Sequence, residues 1–237
     1  MTEGDRIRKR VRFVVNPDGS VSGDDGTSDR LAATLRYVCR MSSQIGDLLG
    51  DGELERFSTL GSVAVLAKVS GVSPRLRIEA EVETQPATPR ARAMDSGMAA
   101  REAINVSLRR VTLDLASDWS VLVTDERRLV GSVEYESSGR ATPPEILEVG
   151  ARALAVLGAL DEQLRETAVR LDFVRGSVLI VAIGPHTLIT HGDKFEVTEV
   201  VSDTVSAVQG LLAGVNLVGA ISVARPRRIR AGNSPQG

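Results

Sequence analysis

The sequence predicts an α/β fold of the α+β sandwich kind, built as two similar domains that are each an antiparallel sheet packed with helices. Three observations carry this. "GSVAVLA" at 61–67 returns as "GSVLIVA" at 176–182, 115 positions later. "FVVNPDGSV" (13–21) and "VLVTDERRLV" (121–130) are both an apolar strand, a polar turn and a returning strand, offset by 108. Each is followed by a long amphipathic helical pattern and then by further strands, and a longer second-half connection at "SSGRATPP" absorbs the drift between the two offsets cheaply.

The elements follow in order. Apolar residues flank "NPDGS" within 11–25, a turn signal that predicts a hairpin. From candidate caps Thr27, Ser28 and Asp29, the residues Leu31, Leu35, Val38, Met41, Ile45 and Leu48 recur at helical spacing until Gly50. "RFSTLGSVAVLAKVSG" and "SPRLRIEAEVETQ" read as strands. In the latter Leu76, Ile78, Ala80 and Val82 alternate with charges, which predicts one wet face. A helix is expected over 98–117, then strand, polar turn and strand. A further helix opens with Thr142 as cap and prolines at its first positions, where backbone amides lack acceptors anyway. "VRLDFVRGSVLIVAIG" and "PHTLITHGD" are strands, and "KFEVTEVVSDTVSAVQGLLAG" is the last helix. The expected organisation is a first, partial domain over 1–85, a Pro- and Arg-rich linker over 86–97, a second domain over 98–225 and a flexible tail over 226–237.

Composition narrows the function classes. A hydrophobic fraction of 42%, a charged fraction of 25% and a net charge of -2 describe a globular chain with no global field for nucleic acid or anionic lipid. The single cysteine, Cys39, sits in an apolar helical pattern and reads as packing in a reducing compartment. The charged start "MTEGDRIRKR" lacks the apolar core of a secretion signal, and no apolar run is long enough for a bilayer span, so a cytoplasmic location is expected. "RIRKRVRF" (6–13) reads as an edge strand guarded by basic residues, with a basic strip for an acidic partner as the less favoured reading. The apolar stretch 211–224 ahead of "RPRRIR" is expected to pack on the sheet or at an inter-chain contact, a membrane contact being disfavoured.

A search for chemistry finds little. The two histidines, His186 and His191, stand five apart on one predicted strand, so they face opposite sides and do not share a metal. Asp24, Asp25, Asp47 and Asp51 offer oxygen ligands without the spacing of a dedicated cation loop, and read as solvated caps and turns. No phosphate-binding glycine motif and no G-x-S-x-G elbow occurs. "NVS" at Asn105 matches a glycosylation sequon that has no meaning without secretion. No catalytic, cofactor-binding or metal-binding residue is therefore assigned, and the chain is expected not to be an enzyme.

Two stretches carry a family resemblance. "WSVLVTDERRLVGS" (119–132) and "LDFVRGSVLIVAIGPHTLITHGD" (171–193), within an order of helix, two strands, long helix, three strands and helix, resemble the roadblock/LC7 family, the dynein light chain type. The likeness covers 98–213 and extends more weakly to 11–84. The polar turn is "DERR" where the family shows an Asp-Gly type, and the first half has no helix before its first strand. That half either borrows the 98–117 helix or is a partial module. The resemblance implies two roadblock/profilin-like domains that pair as an intrachain pseudo-dimer or a homo-oligomer. It also implies a non-enzymatic scaffold or adaptor acting on a protein partner such as a small Ras-like GTPase. A ligand-binding sensor with a pocket between sheet and helix is the alternative.

Overall fold

Ten strands form one antiparallel sheet in the order β2-β1-β5-β4-β3-β8-β9-β10-β6-β7. The computed structural model describes residues 10–24, 29–61, 63–84, 99–124, 129–134, 143–160, 168–184, 186–195, 198–213, 215 and 217. Along the chain the elements are β1 (Arg10–Val15), β2 (Val21–Gly23), α1 (Asp29–Leu49), β3 (Leu54–Leu60), β4 (Val63–Ser70), β5 (Arg77–Thr84), α2 (Ala100–Asp114), β6 (Ser117–Val123), β7 (Leu129–Glu134), α3 (Pro143–Ala159), β8 (Ala168–Phe173), β9 (Ser177–Ile183), β10 (His186–Gly192) and α4 (Thr198–Ala213). The order helix, two strands, helix, three strands, helix expected for 98–213 is the order observed. The expected linker 86–97, the tail 226–237, the 125–128 turn and the cap Thr142 lie outside the described residues.

Counted from either edge, the sheet reads alike: second strand, first, fifth, fourth, third of a five-strand unit. The two sheets expected from the sequence are thus one sheet, joined where β3 pairs antiparallel with β8 and Phe57 lies opposite Leu171. The physical reason is the edge. A third strand left open would present a row of unpaired N–H and C=O groups, and the like strand of the other unit satisfies them.

Sequence pattern explains which faces are covered. β9 is an unbroken apolar run buried on both sides. β5 alternates, burying Ile78 and Ala80 while Arg77 and Glu79 stay exposed, which is the wet face the sequence predicts. One face of the sheet carries α1 and α3, packed against each other over a single apolar cluster that draws on both units, including Phe13, Leu35, Ile45, Phe57, Trp119 and Phe173. The opposite face of the second unit carries α2 and α4 over a second cluster. α2 packs on β6, β7 and α4, and Thr112 on it stands 2.9 Å from Ser120 of β6, itself 2.8 Å from Thr190 of β10. The first unit therefore does not borrow this helix. The reason is its apolar side, Ala103, Ile104, Leu108 and Val111, which fills the second cluster. Of the described residues of the apolar 211–224 stretch, Leu212 and Leu217 are buried in the same cluster, Val215 packs partly buried against it, Leu211 is buried, and Ala213 is exposed.

A further difference concerns "RIRKRVRF". Its described part lies in β1, which is not an edge strand: β2 and β5 flank it, and the three-residue β2 forms the edge. Arg10 and Arg12 reach across to Glu81 of β5 at 2.5 and 3.0 Å, so they cover the sheet face and do not guard its border.

Helix α1 ends where Gly50 takes φ +71°, a conformation open to glycine, and the Asp51 amide donates back to the Gly46 carbonyl at 2.9 Å. Gly46 is fixed by crowding. A Cβ there would lie 2.5 Å from the Gly52 carbonyl oxygen and 2.6 Å from the Phe173 ring of the other unit. Gly46→Ala should cost about 1–3 kcal/mol by overpacking. Gly158→Ala in α3, where an added Cβ meets nothing within 4 Å, should stabilise by up to about 1 kcal/mol. Urea denaturation of the two variants measures both signs. Burial alone pushes the Cys39 thiol up to about 12. It should therefore resist a thiol reagent at neutral pH until the chain unfolds, so that its labelling rate follows global opening in a denaturant series.

Candidate functional site

Polar contacts as well as strand pairing bridge the junction between the two units. Beyond the β3–β8 ladder, Val174 donates its amide to the Glu53 carbonyl at 3.1 Å and Arg175 donates its amide to the Asp51 carbonyl at 3.0 Å. The Arg175 guanidinium also donates to the Gly50 carbonyl. Lys194 pairs with Glu55 at 2.8 Å, and Arg152 of α3 donates to Gln44 of α1 at 3.2 Å.

At its centre Asp51, placed by the turn that ends α1, meets His191 near the end of β10. Nε2 of His191 is 2.8 Å from Oδ2 of Asp51, and both side chains are buried, 2% and 4% exposed. The ring of His191 stacks on Trp119 of β6, with centroids 5.5 Å apart and planes 18° from parallel. Nδ1 stands 3.2 Å from Oδ2 of Asp118 without hydrogen-bond geometry. Both ring nitrogens are turned toward carboxylates inside the protein. A His–Asp pair acts as a general base when its free nitrogen faces a nucleophile or substrate. Here Nε2 is taken by Asp51 inside the protein, and the pair is a polar tie between the two units, formed by residues 140 apart in sequence.

The other residues that the sequence singled out fall apart. His186 stands on the opposite face of β10 from His191, as the five-residue spacing requires, and is buried. The Asp24 carboxylate accepts from the Arg12 amide at 2.9 Å, Asp47 is exposed on α1, Asp51 is taken by His191, and Asp25 lies outside the described residues. Among the described residues no group of three or more His, Cys, Asp or Glu could hold a metal ion. No described helix is long and apolar enough to cross a membrane. What the sequence missed is the Asp51–His191 bond. The acidic turn "GDG" after the helix is its only local trace, and nothing in a linear pattern joins it to β10.

The solvent side of the α1–α3 layer is the other feature of note. On α3 the residues Leu147, Ala151, Leu154 and Ala155 recur at helical spacing, Leu147 being 37% exposed and the other three partly buried. On α1 the exposed residues include Arg30, Arg36, Tyr37 and Arg40. An apolar stripe thus lies on the layer whose other helix exposes three arginines, Arg30, Arg36 and Arg40, beside Asp29 and Asp47.

No family model matches the chain, and no curated protein matches it. Solved structures similar to it include MglB of Myxococcus xanthus, at 14% identity and a TM-score of 0.43, over 53% of this chain and 95% of that one. An MglB with a tetrameric arrangement gives 14% and 0.42, over 56% and 100%. The gliding protein MglB from Thermus thermophilus gives 14% and 0.40, over 53% and 96%. The fold assignment stands on the strand order and helix placement described above.

Asp51→Ala should cost about 2–3 kcal/mol, the expense of a buried imidazole nitrogen without its acceptor. His191→Ala should cost about 3–5 kcal/mol, because it strands a buried carboxylate. The double variant should lose about 1–3 kcal/mol less than the sum. Urea titrations read through Trp119, the one tryptophan of the chain and a ring in the junction, measure all three.

Proposed function

We propose that the chain is a non-enzymatic regulatory scaffold whose α1–α3 layer docks a protein partner, and that this partner is a small Ras-like GTPase. The observation that carries the docking surface is the α3 stripe of Leu147, which is exposed, and Ala151, Leu154 and Ala155, which are partly buried, on the helix that packs against α1 of the other unit. Apolar side chains presented in a row on a helix, with arginines on the neighbouring helix, suit a partner that brings an apolar ridge and acidic flanks. The GTPase identity rests on what the resemblance to roadblock/LC7 domains implies. The inward-turned His191 ring, with both nitrogens directed at carboxylates, supports a binding role over a catalytic one.

The two units occupy one chain, so the layer is a pair of unlike helices fixed in register, and the partner meets one composite surface. The chain carries its own pairing, and a homo-oligomer is not needed to complete it.

The test uses the full chain and a panel of purified small GTPases loaded with GDP or a non-hydrolysable GTP analogue. Binding should depend on the nucleotide. Leu154→Asp combined with Leu147→Asp should weaken it by about 100-fold, while circular dichroism and the unfolding midpoint stay near native. Absence of binding to every GTPase in both nucleotide states would overturn the GTPase reading. Undiminished binding by the double variant would move the docking surface elsewhere.

A further inference from the structure

A cavity of about 410 Å³ opens between the first half of α1 and the β1–β2 hairpin. Its floor is apolar, made by Val15, Val21, Ala32, Pro74 and Leu76. Its polar end is set by Arg36 and Arg40, one turn apart on α1, with Tyr37 between them. We propose that this cavity is a binding site for a small organic anion, a phosphate or carboxylate attached to a compact apolar body. The proposal goes beyond the scaffold reading and does not depend on it.

The charge balance of the cavity points to an anion. Arg36 and Arg40 are like charges at i and i+4, which repel on a helix surface. Neither has an ion-pair partner among the described residues. The carboxylate beside Arg36 is that of Asp18, and the hairpin turn has already claimed it. Its Oδ1 accepts from the Ser20 hydroxyl at 2.7 Å and from the Ser20 amide at 2.9 Å. Those bonds are the main reason why the Asp18 carboxyl is held below its ordinary value of 3.8, and Arg36 contributes least. Arg36 itself reaches only the Pro17 carbonyl, at 3.5 Å.

Position is set as well. The Arg36 guanidinium lies against the turn so closely that a Cβ on Gly19 would stand 2.5 Å from its Nη1, and Gly19 takes φ +91° there. Arg40 is held over the Tyr37 ring, 5.7 Å from its centroid. Two guanidiniums are therefore placed at one mouth by other parts of the structure. Asp29, the acidic group of the lining, starts α1 about two turns before Arg36. It directs the anionic end of a ligand toward the arginines and away from itself. The apolar floor takes the rest of the molecule, in a volume of the size that small-molecule sites show.

Calorimetric titration of the full chain with phenyl phosphate tests the site, with inorganic phosphate and benzyl alcohol as the two half-ligands. Phenyl phosphate should saturate with a Kd below about 1 mM, and each half-ligand should bind at least about tenfold more weakly. Arg36→Gln and Arg40→Gln should each weaken phenyl phosphate about tenfold, and both side chains are exposed, so the variants should fold. Ala33→Phe, which fills the cavity without touching its charge, should abolish binding while circular dichroism stays native. Lack of saturation by phenyl phosphate, equal binding of benzyl alcohol, or full affinity in the Arg36→Gln/Arg40→Gln variant would overturn the proposal.

Discussion

The pairing of β3 with β8 is the constraint on which the remaining architecture depends. Each five-strand unit ends in a strand whose backbone groups need partners, and each supplies the other's. Once the ladder forms, α1 and α3 are brought side by side over one apolar layer, and Gly46 must be small because Phe173 of the other unit occupies the space beside it. Asp51 and His191 are then delivered to the same buried point. A buried ionisable pair of this kind adds little net stability over an apolar replacement, yet is costly to break on one side. Its contribution is register: a slip along the ladder would leave both groups desolvated without partners.

Both units follow one strand order, but their outer faces differ, and the difference is written in strand composition. β9 has nothing to offer water and requires α2 and α4 above it. β5 and β1 present Arg12, Glu79 and Glu81 on the corresponding face, where Arg12 pairs across the strands with Glu81 at 3.0 Å and Glu79 pairs along β5 with Arg77 at 3.2 Å. An antiparallel sheet tolerates one solvated face, so the first unit needs no second helical layer. Among the described residues, the chain is thus a like-ordered pair with unlike coverings.

Legibility in the sequence followed the range of the interactions. Helix α1, the wet face of β5 and the placement of His186 and His191 on opposite faces were readable because they depend on periods of 3.6 and 2. The helix expected over 98–117 is shorter at both ends, Ala100–Asp114, since Ser117 already belongs to β6. Joining the two sheets was not readable, because strand patterns state which face is buried and not which edge finds a partner. The same limit put "RIRKRVRF" at an edge: its alternating charges mark a wet face, and a wet face occurs inside a sheet as readily as at its border. The Asp51–His191 bond was out of reach for a similar reason. Asp51 looked like one more turn carboxylate, and only the tertiary fold brings a strand 140 residues away to meet it.

Fusing two units into one chain changes what the assembly can present. A symmetric pair of identical chains would show every surface feature twice, related by a two-fold axis. Here the helical layer has one basic member, with Arg36 and Arg40, and one apolar member, with Leu147 and Leu154. A partner that reads both can dock in one orientation only. The cavity at the hairpin end of α1 takes its walls from the first unit alone, from β1, the β1–β2 turn and Pro74. The cavity and the basic side of the layer both sit on α1, the helix that ends at the turn carrying Asp51, which bonds His191 of β10. A ligand that stiffened its first half would therefore act on the same rigid element that forms one side of the proposed docking layer.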